Sequence, residues 1–408
     1  MDALADTTKL PTRWSCRGSR DLGANGLRRP RPGTYQNLAF TATVHTLRLA
    51  VQFHFSYRAG LMKKKSSHPT LSQVARKAGV GTTTVSRVIN GGYRVSPETL
   101  SHVRRVIETL GYTPNQAART LKGHRTKTIG LIIPSIADPF FSNLAEAAQS
   151  VARTNDSLLI LTTTSNDPRA EAENLDVLIR HRTDGLLIVP ANSQGQMLRD
   201  LLDRVAVPVV AIDRPIADSM IASVVCDNFK GAVAGTQHLI DHGYKRIVCL
   251  TGESTLYTIR ERMRGYRKAV ESAHLPCIFE TTVKDYKSAE YAIKSLVDGP
   301  DRPDAIFATK NSTTIYAFEV LQALNIPVPQ SIALLGFDDF ELASTVRPSI
   351  SVIQQPVEEI GRRAAEILFD ELLNERRPVR GASKQPLQVK LQTRLIQRSS
   401  CGCSQPGS

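Results

Sequence analysis

Apolar residues follow two periods along most of the chain after residue 126. Short apolar runs, often ending at Pro or Gly, alternate with longer stretches in which apolar positions recur every three or four residues. The first pattern is typical of buried parallel strands and the second of amphipathic helices. The predicted strands are 128–133, 157–162, 185–190, 207–212, 246–251, 304–308 and 331–335, and the predicted helices lie near 140–154, 168–182, 194–205, 229–242, 258–274 and 312–325.

The order of these elements predicts the fold class. Two successive β-α-β-α series indicate an α/β body of two doubly wound lobes over residues 126–398, similar to periplasmic sugar-binding proteins. The length of this body suits two hydrophobic cores better than one. Ligands of such folds bind beyond the carboxyl ends of the strands, so we expect a binding site in the cleft between the lobes.

A separate helical pattern precedes this body. Thr70 is a suitable N-cap for a first short helix, and Gly79 offers the conformation that a sharp turn requires. A second helix begins at about Thr82, and a third is capped by Ser96 and ends at Gly111. Two short helices joined by a tight turn, with a third to close the core, predict an all-helical helix-turn-helix domain.

The second of these helices is the predicted DNA-reading element, because that helix enters the major groove in a helix-turn-helix. Val85, Val88 and Ile89 are expected to face inward, which leaves a polar outer face able to bond phosphates or base edges. An ordinary pair of helices with a polar face is the alternative interpretation. The predicted DNA-binding residues here are Thr70, Thr82, Thr83, Thr84, Ser86, Arg87 and Asn90.

Charge divides the chain in the same way. The net charge is +14, from 52 Lys and Arg against 38 Asp and Glu. Residues 62–127 hold 13 basic and 2 acidic residues, whereas residues 128–408 hold 30 basic and 33 acidic ones. A basic segment on a near-neutral body is the electrostatic footprint of a polyanion-binding protein, although a solvated basic surface is the simpler alternative.

Seven motifs occur in order along the chain: TLSQVARKAGV, TVSRVING, VSPETLSHV, LGYTPNQAARTL, IGLIIPSIADPFF, DGLLIVP and LLGFDDF. Through these motifs the chain resembles the lactose-repressor (LacI) family of bacterial transcription regulators from residue 62 to about 398. The resemblance implies that Thr82 and Thr83 choose the operator sequence. One departure is Gly81, where the family usually has a serine N-cap, so Thr82 is expected to cap that helix instead.

The resemblance also implies a hinge helix at residues 114–121. Eight residues are too few to be helical alone, so this segment is expected to form a helix only when two subunits pair on an operator. Asn115, Ala118 and Leu121 are then DNA-binding residues, and Leu121 is the wedge that unstacks a base step in the minor groove.

Polar and aromatic residues follow the predicted strands of the body. Aromatic faces stack on sugar rings, while carboxylates and a guanidinium bond sugar hydroxyls. The residues alone leave alternatives open, since Phe140 and Phe141 also suit a core, and Asp213 and Asp338 also suit helix N-caps. The resemblance assigns all of them to an effector pocket. The predicted effector-binding residues are Asp138, Phe140, Phe141, Asp213, Arg214, Arg262 and Asp338.

The predicted effector is a sugar or a phosphorylated sugar. The family often has Asn-Asp where this chain has Lys310-Asn311, which is compatible with an anionic effector. The chain contains no P-loop, G-x-G-x-x-G, H-E-x-x-H or G-x-S-x-G motif, so we predict no enzymatic activity, no cofactor and no catalytic residue.

Six cysteines and nine histidines are scattered along the chain, and we predict no metal site. Sparse cysteine suits a reducing cytosol. Cys401-Gly402-Cys403 is interpreted as a loose thiol tail rather than a metal site. No run of 18 apolar residues occurs, so we predict no membrane span and a cytoplasmic location.

The sequence predicts five segments. Residues 1–61 match none of these patterns, and Met62 followed by three lysines resembles the family's usual start, so 1–61 is interpreted as a disordered arm or an extension from a misassigned start codon. The others are a helix-turn-helix domain at 62–113, a hinge and linker at 114–125, an effector-binding and dimerisation body at 126–398, and a disordered tail at 399–408.

The predicted protein is a homodimeric repressor, with a tetramer also compatible. It binds double-stranded operator DNA under the control of a small-molecule effector in the cleft. The alternative from another class is a solute-binding protein without a transcriptional role, and an α/β enzyme is a more distant one.

Overall fold

The chain forms two compact units, Met1–Pro114 and Asn115–Ser408. Among the residues that the structure describes, no helix combines the length and apolar character needed to cross a bilayer. A computed structural model of the chain describes residues 69–91, 93–113, 125–373 and 386–403.

The first unit contains the three predicted helices. They are α1 (Leu71–Ala78), α2 (Thr82–Ile89) and α3 (Pro97–Leu110). Their apolar faces meet in one small core, which Ile89 borders as a partly buried neighbour. The buried core residues are Val74, Ala75, Ala78, Val85, Val88, Val103 and Val106.

Local sequence signals set the ends of these helices. Gln73 N donates to Thr70 Oγ1 at 3.3 Å while Thr70 N donates to Gln73 Oε1 at 2.7 Å, which satisfies two backbone donors reciprocally. Gly79 has a φ of 64°, in the left-handed region that glycine enters at little cost. Ser96 caps α3, which ends at Gly111. The predicted caps of α1 and α3 and the turn at Gly79 are confirmed.

The predicted capping role of Thr82 is wrong, because α2 begins at Thr82 and Gly81 occupies the N-cap position. Glycine has no side chain to bond the free amides of the first turn. A Cβ at residue 81 would meet only Thr83 Oγ1, at 3.5 Å, and the backbone there is extended.

We therefore expect Gly81→Ser to stabilise the first unit by a few tenths to about 1 kcal/mol. Hydrogen exchange of the α2 amides should slow accordingly. Gly79→Ser is the matched control and should have the opposite effect, because residue 79 lies in the left-handed region. Faster exchange in Gly81→Ser than in the parent chain would contradict the expectation.

The second unit is an α/β body. Its helices are α4 (Pro139–Thr154), α5 (Pro168–Arg180), α6 (Gln196–Leu202), α7 (Asn228–Asp241), α8 (Tyr257–Ser272), α9 (Tyr286–Asp298), α10 (Asn311–Ala323) and α11 (Val357–Leu373). Its strands are β1 (Thr128–Ile133), β2 (Leu158–Thr163), β3 (Gly185–Ile188), β4 (Val209–Ile212), β5 (Ala222–Cys226), β6 (Ile247–Leu250), β7 (Ile278–Glu280), β8 (Ala305–Ala308), β9 (Ala333–Phe337), β10 (Ser351–Gln354), β11 (Gln388–Leu391) and β12 (Arg394–Ile396).

These strands form two sheets of six, one in each lobe. The first sheet has the order β11-β5-β4-β3-β1-β2 and the second β12-β10-β9-β8-β6-β7. All neighbouring strands are parallel except β10 and β12, which are antiparallel. Helices pack on the sheets and bury their apolar strands. The predicted class, two doubly wound α/β lobes, is confirmed.

The lobes are not two successive segments, contrary to the simplest interpretation of the pattern. The chain passes from the first lobe to the second after β5, returns after β10, and passes across again between β11 and β12. Helix α11 therefore packs on α4 in the first lobe. Gly361 allows this close approach, since a Cβ there would lie 2.4 Å from Leu144 O.

The predicted disordered tail is wrong for residues 399–403. Ser399–Cys401 forms a 3-10 helix in which Ser400 and Cys401 are fully buried. Ser400 Oγ donates to Leu334 O at 2.6 Å and accepts from Ser351 N at 2.9 Å. These polar atoms find partners on β9 and β10, and that is why a polar segment can be buried here. Residues 404–408 lie outside the described residues.

Candidate functional site

The outer face of α2 is the candidate DNA-binding surface. At about 100° per residue, Thr83, Ser86, Arg87 and Asn90 fall within an arc of about 140° that starts at Thr82. Four of the five are exposed and Ser86 is half-buried, with Asn90 Nδ2 at 3.5 Å from Ser86 Oγ. One helix face therefore offers hydroxyl, amide and guanidinium groups together, which suits contacts to both bases and phosphates.

Two of the predicted DNA-binding residues differ from this group. Thr84 is half-buried and lies outside the arc, about 200° from Thr82. Thr70 is exposed, but its hydroxyl takes part in the cap of α1. Asn115, Ala118 and Leu121 of the predicted hinge lie outside the described residues, as does the extension 1–61.

The second candidate site is a cavity of about 250 Å³ between the lobes, at the carboxyl ends of the parallel strands. The structure brings all seven predicted effector-binding residues to its wall. These are Asp138, Phe140, Phe141, Asp213, Arg214, Arg262 and Asp338.

Arg262 is the most constrained of these side chains. It is 3% exposed and its guanidinium lies 3.7 Å from the centre of the Phe337 ring. Its Nη1 donates to Asp338 Oδ2 at 2.9 Å and to Thr309 O at 2.7 Å, and its Nε donates to Asn228 Oδ1 at 2.8 Å. Contacts from three other elements, α7 and the carboxyl ends of β8 and β9, therefore hold one guanidinium in place. This burial excludes a surface ion pair for Arg262.

Asp213 and Arg214 form the matching pair on the first lobe. Arg214 Nε lies 3.3 Å from Asp213 Oδ2, and Arg214 Nη1 donates to Asn166 Oδ1 at 2.7 Å and to Pro190 O at 3.0 Å. Burial raises the pKa of Asp213, although the Arg214 and Arg262 charges lower it. Neither Asp213 nor Asp338 is a helix N-cap, because each directly follows a strand and no helix begins at the next residue. Their φ angles are 65° and 71°, respectively. The polar pocket assignment replaces that alternative.

The two phenylalanines serve the core and the cavity at once. Phe140 and Phe141 are buried, meet edge to face with ring centres 5.0 Å apart, and belong to the first-lobe core. Both rings also line the cavity. Asp138 caps α4 and accepts a hydrogen bond from Asn311 Nδ2 of the second lobe at 3.1 Å. This bond joins the lobes across the cleft.

Several residues of the cavity were not predicted. Asn166 and Gln355 follow β2 and β10, and Gln355 Nε2 donates to Asp338 Oδ1 at 2.6 Å. Asp213 was predicted because it follows a predicted strand. The same criterion applies to Asn166, since β2 was also predicted. Gln355 had no such signal, since β10 was not predicted.

A helix-turn-helix unit joined to a two-lobed α/β body with a polar cleft defines a ligand-controlled DNA-binding regulator. The model of the lacI family of bacterial regulatory proteins matches residues 70–115, and that of the periplasmic binding protein-like domain matches residues 236–401. The chain belongs to the lacI family of bacterial transcription regulators, as its relatives show.

Among these relatives, the ribose operon repressor of Escherichia coli (strain K12) is 34% identical over 304 residues, which cover 74% of this chain and 92% of that protein. The regulator CelR of Thermobifida fusca is 33% identical over 350 residues, covering 83% of this chain and 99% of that protein. The solved complex of the transcriptional regulator CelR with cellobiose is 31% identical, with a TM-score of 0.60, and covers 81% of this chain and 99% of that one.

The Lac repressor dimer bound to operator shares the fold. It is 23% identical with a TM-score of 0.73, and the match covers 82% of this chain and 99% of that chain. The relatives are DNA-binding regulators, so the interpretation as a solute-binding protein without a transcriptional role is wrong.

Proposed function

We propose that this protein is a cytoplasmic, homodimeric repressor. A neutral sugar bound between its lobes either lowers or raises its affinity for the operator. The observation that carries the proposal is the convergence of ion-paired Arg262 and Arg214, one from each lobe, on a single cavity. The dimer and the hinge contacts of Asn115, Ala118 and Leu121 rest on the family resemblance.

The proposed mechanism is a population shift between two lobe arrangements. A ligand that contacts Asp213 and Phe141 on one lobe and Arg262 and Asp338 on the other has a different affinity for open and closed clefts. The hydrogen bond between Asn311 and Asp138 crosses the same cleft, so its length would change when the lobes close. Effector binding thereby biases the pairing of the two hinge segments on DNA.

The charge balance of the cavity supports a neutral effector. Four carboxylates line it, from Asp138, Asp213, Glu253 and Asp338, against the cations of Arg214, Arg262 and Lys310. Lys310 Nζ lies 3.5 Å from Glu253 Oε2, so its charge has a local partner. Alternating acceptors and donors suit hydroxyl groups, whereas a phosphate would require a surplus of cations. We therefore favour a sugar over the phosphorylated sugar that the Lys310-Asn311 departure admits.

A thermal-shift panel of neutral sugars and their phosphates tests this choice. The effector should raise Tm, since it binds the native state, and the same compound should change operator affinity in a mobility-shift assay. A Tm rise only with phosphorylated sugars would reverse the choice of ligand. Failure of the purified protein to shift any genomic fragment would count against the repressor itself.

The DNA-binding proposal predicts which substitutions alter specificity. Thr82→Ala and Thr83→Ala are each expected to cost about 1–3 kcal/mol for the preferred operator and little for other sequences, because they remove base contacts. Arg87→Ala is expected to weaken binding to all sequences alike and to flatten the salt dependence, as loss of a phosphate contact does. Binding to a randomised operator library, followed by sequencing, measures both effects.

Thr109→Ala is the matched control for this experiment, since Thr109 is an exposed threonine of α3 outside α2. It should change neither affinity nor sequence preference. An unchanged preference in the Thr82→Ala/Thr83→Ala double variant would show that α2 reads DNA in another register.

A further inference from the structure

Four potential metal ligands converge at the C-terminal end of α7, and none of them lines the effector cavity. His238 and His242 lie four residues apart, on one face of α7 and its C-cap. Cys401 and Cys403 come from the C-terminal segment. One nitrogen or sulfur atom from each residue lies within 4.8 Å of all the others.

Three of the six distances between these atoms are close to the edges of a metal tetrahedron. His238 Nε2 lies 3.2 Å from Cys401 Sγ and 3.5 Å from Cys403 Sγ, and His242 Nε2 lies 3.2 Å from Cys403 Sγ. Zinc bonds of about 2.3 Å to sulfur and 2.0–2.1 Å to nitrogen place such atoms about 3.5 Å apart in a tetrahedron. The remaining pairs lie within 4.8 Å of each other, so the side chains would move inward to close the tetrahedron around an ion.

The backbone between the cysteines turns both thiols toward the helix. Gly402 has a φ of +95°, a conformation that other residues rarely adopt. A Cβ at this position would lie 2.8 Å from Tyr244 Oη, so the segment packs against Tyr244 without room for a side chain. Ser351 Oγ donates to Cys401 Sγ at 3.0 Å, which orients that sulfur from the side of β10. Outer hydrogen bonds of this kind orient the ligands of metal sites.

We propose that His238, His242, Cys401 and Cys403 bind one Zn²⁺ in a structural site that fastens the C-terminal segment to α7. Two thiolates and two imidazoles in a tetrahedral set favour zinc over the harder cations. Four protein ligands close the coordination shell, which is the mark of a structural rather than a catalytic site.

The arrangement of these four residues differs from two interpretations of the sequence. The thiols do not form a loose tail, since Cys401 is fully buried and Cys403 is half-buried. The histidines do have metal-ligand spacing, at i and i+4 of a helix. The sequence alone does not reveal that the histidine pair and the cysteine pair come together in the fold, since His238 and Cys401 are 163 positions apart.

The experiment uses the full chain, purified under reducing conditions and freed of metal with a chelator. Titration with Co²⁺ and then Zn²⁺ is expected to give about one equivalent per chain, with the visible spectrum of tetrahedral Co²⁺ and thiolate charge transfer. Zinc should raise the Tm of the metal-free protein, because it binds only when distant segments are folded together. Cys403→Ser and His242→Ala should each lower the affinity for Zn²⁺ at least tenfold.

Cys277→Ser is the matched control, since Cys277 is an exposed free cysteine of the same lobe outside the cluster. It should keep the spectrum, the stoichiometry and the Tm rise. Since His242 is exposed and Cys403 only half-buried, both variants should match the parent in Tm when metal-free, which shows that they fold. Equal Zn²⁺ affinity in the parent and in Cys403→Ser, or no thiolate charge transfer with Co²⁺ in the reduced parent, would overturn the proposal.

Discussion

Replacing Arg262 with alanine is expected to abolish the effector response and to lower the free energy of unfolding of the α/β body by about 3–5 kcal/mol. The large stability cost arises because Asp338, which is 8% exposed, would remain buried without its cation. The response is lost because the second lobe no longer offers a guanidinium to the ligand. Chemical unfolding and operator titration with and without effector measure the two effects.

Two further variants separate stability from recognition. Arg262→Met combined with Asp338→Leu removes both charges, so it should recover much of the stability but none of the response. Arg264→Ala, on the same helix, removes an arginine whose side chain is 63% exposed and paired with Glu261. It should change stability by no more than about 1 kcal/mol and leave the response intact. A normal effector response in the double variant would remove Arg262 from the proposed pocket.

Glu171 is expected to make stability depend on pH. It is 2% exposed, and burial raises its pKa to about 7, against the opposing effects of the Ala191 N–H and the Arg214 charge. The folded chain thus holds this proton more tightly than the unfolded chain does. Its stabilising effect is present below pH 4.5 and is lost as the pH rises to about 7, a change on the order of 3 kcal/mol.

Glu171→Gln should remove this dependence, because the amide keeps an oxygen that can accept from Ala191 N, now 2.7 Å from Glu171 Oε1. Its Tm should exceed that of the parent by several degrees above pH 7, and the difference should vanish toward pH 4.5. Glu173→Gln, an exposed neighbour on α5, should show no such crossover. Parallel Tm curves for the parent and Glu171→Gln would contradict this, because they would mean that the folded and unfolded chains hold the Glu171 proton equally tightly.

Local signals sufficed for the parts of this protein that depend on short stretches of sequence. Thr70, Gly79 and Ser96 set helix ends through bonds to residues only a few positions away, so the helix-turn-helix was predictable. Asp213 and Asp338 were found because parallel strands direct their carboxyl ends to one edge of a sheet. The assignment of their neighbourhood to a pocket came from the family resemblance, since composition alone left helix caps and core as alternatives.

Contacts between distant segments were not predictable in the same way. Asn228 bonds Arg262, and Gln355 bonds Asp338, across 34 and 17 positions, because separate elements of the second lobe converge at the carboxyl edge of its sheet. The burial of Cys401 depends on polar partners from β9 and β10 that no period in the C-terminal sequence reveals. The sequence around a motif reveals helix faces and strand ends. These contacts instead depend on how distant segments pack together in the folded chain.

The repeated passage between lobes bears on how the protein folds during synthesis. β11 and β12, only two residues apart, complete the edges of different sheets beside β5 and β10. Neither sheet can be finished until this last segment has left the ribosome, although β1 to β5 emerge much earlier. The first lobe therefore carries an unpaired edge at β5 until β11 emerges, and the second lobe carries one at β10 until β12 emerges. Such an edge is the kind of surface on which chains associate wrongly. Folding of the α/β body is therefore completed by the segment that carries β11 and β12, and not by either lobe alone.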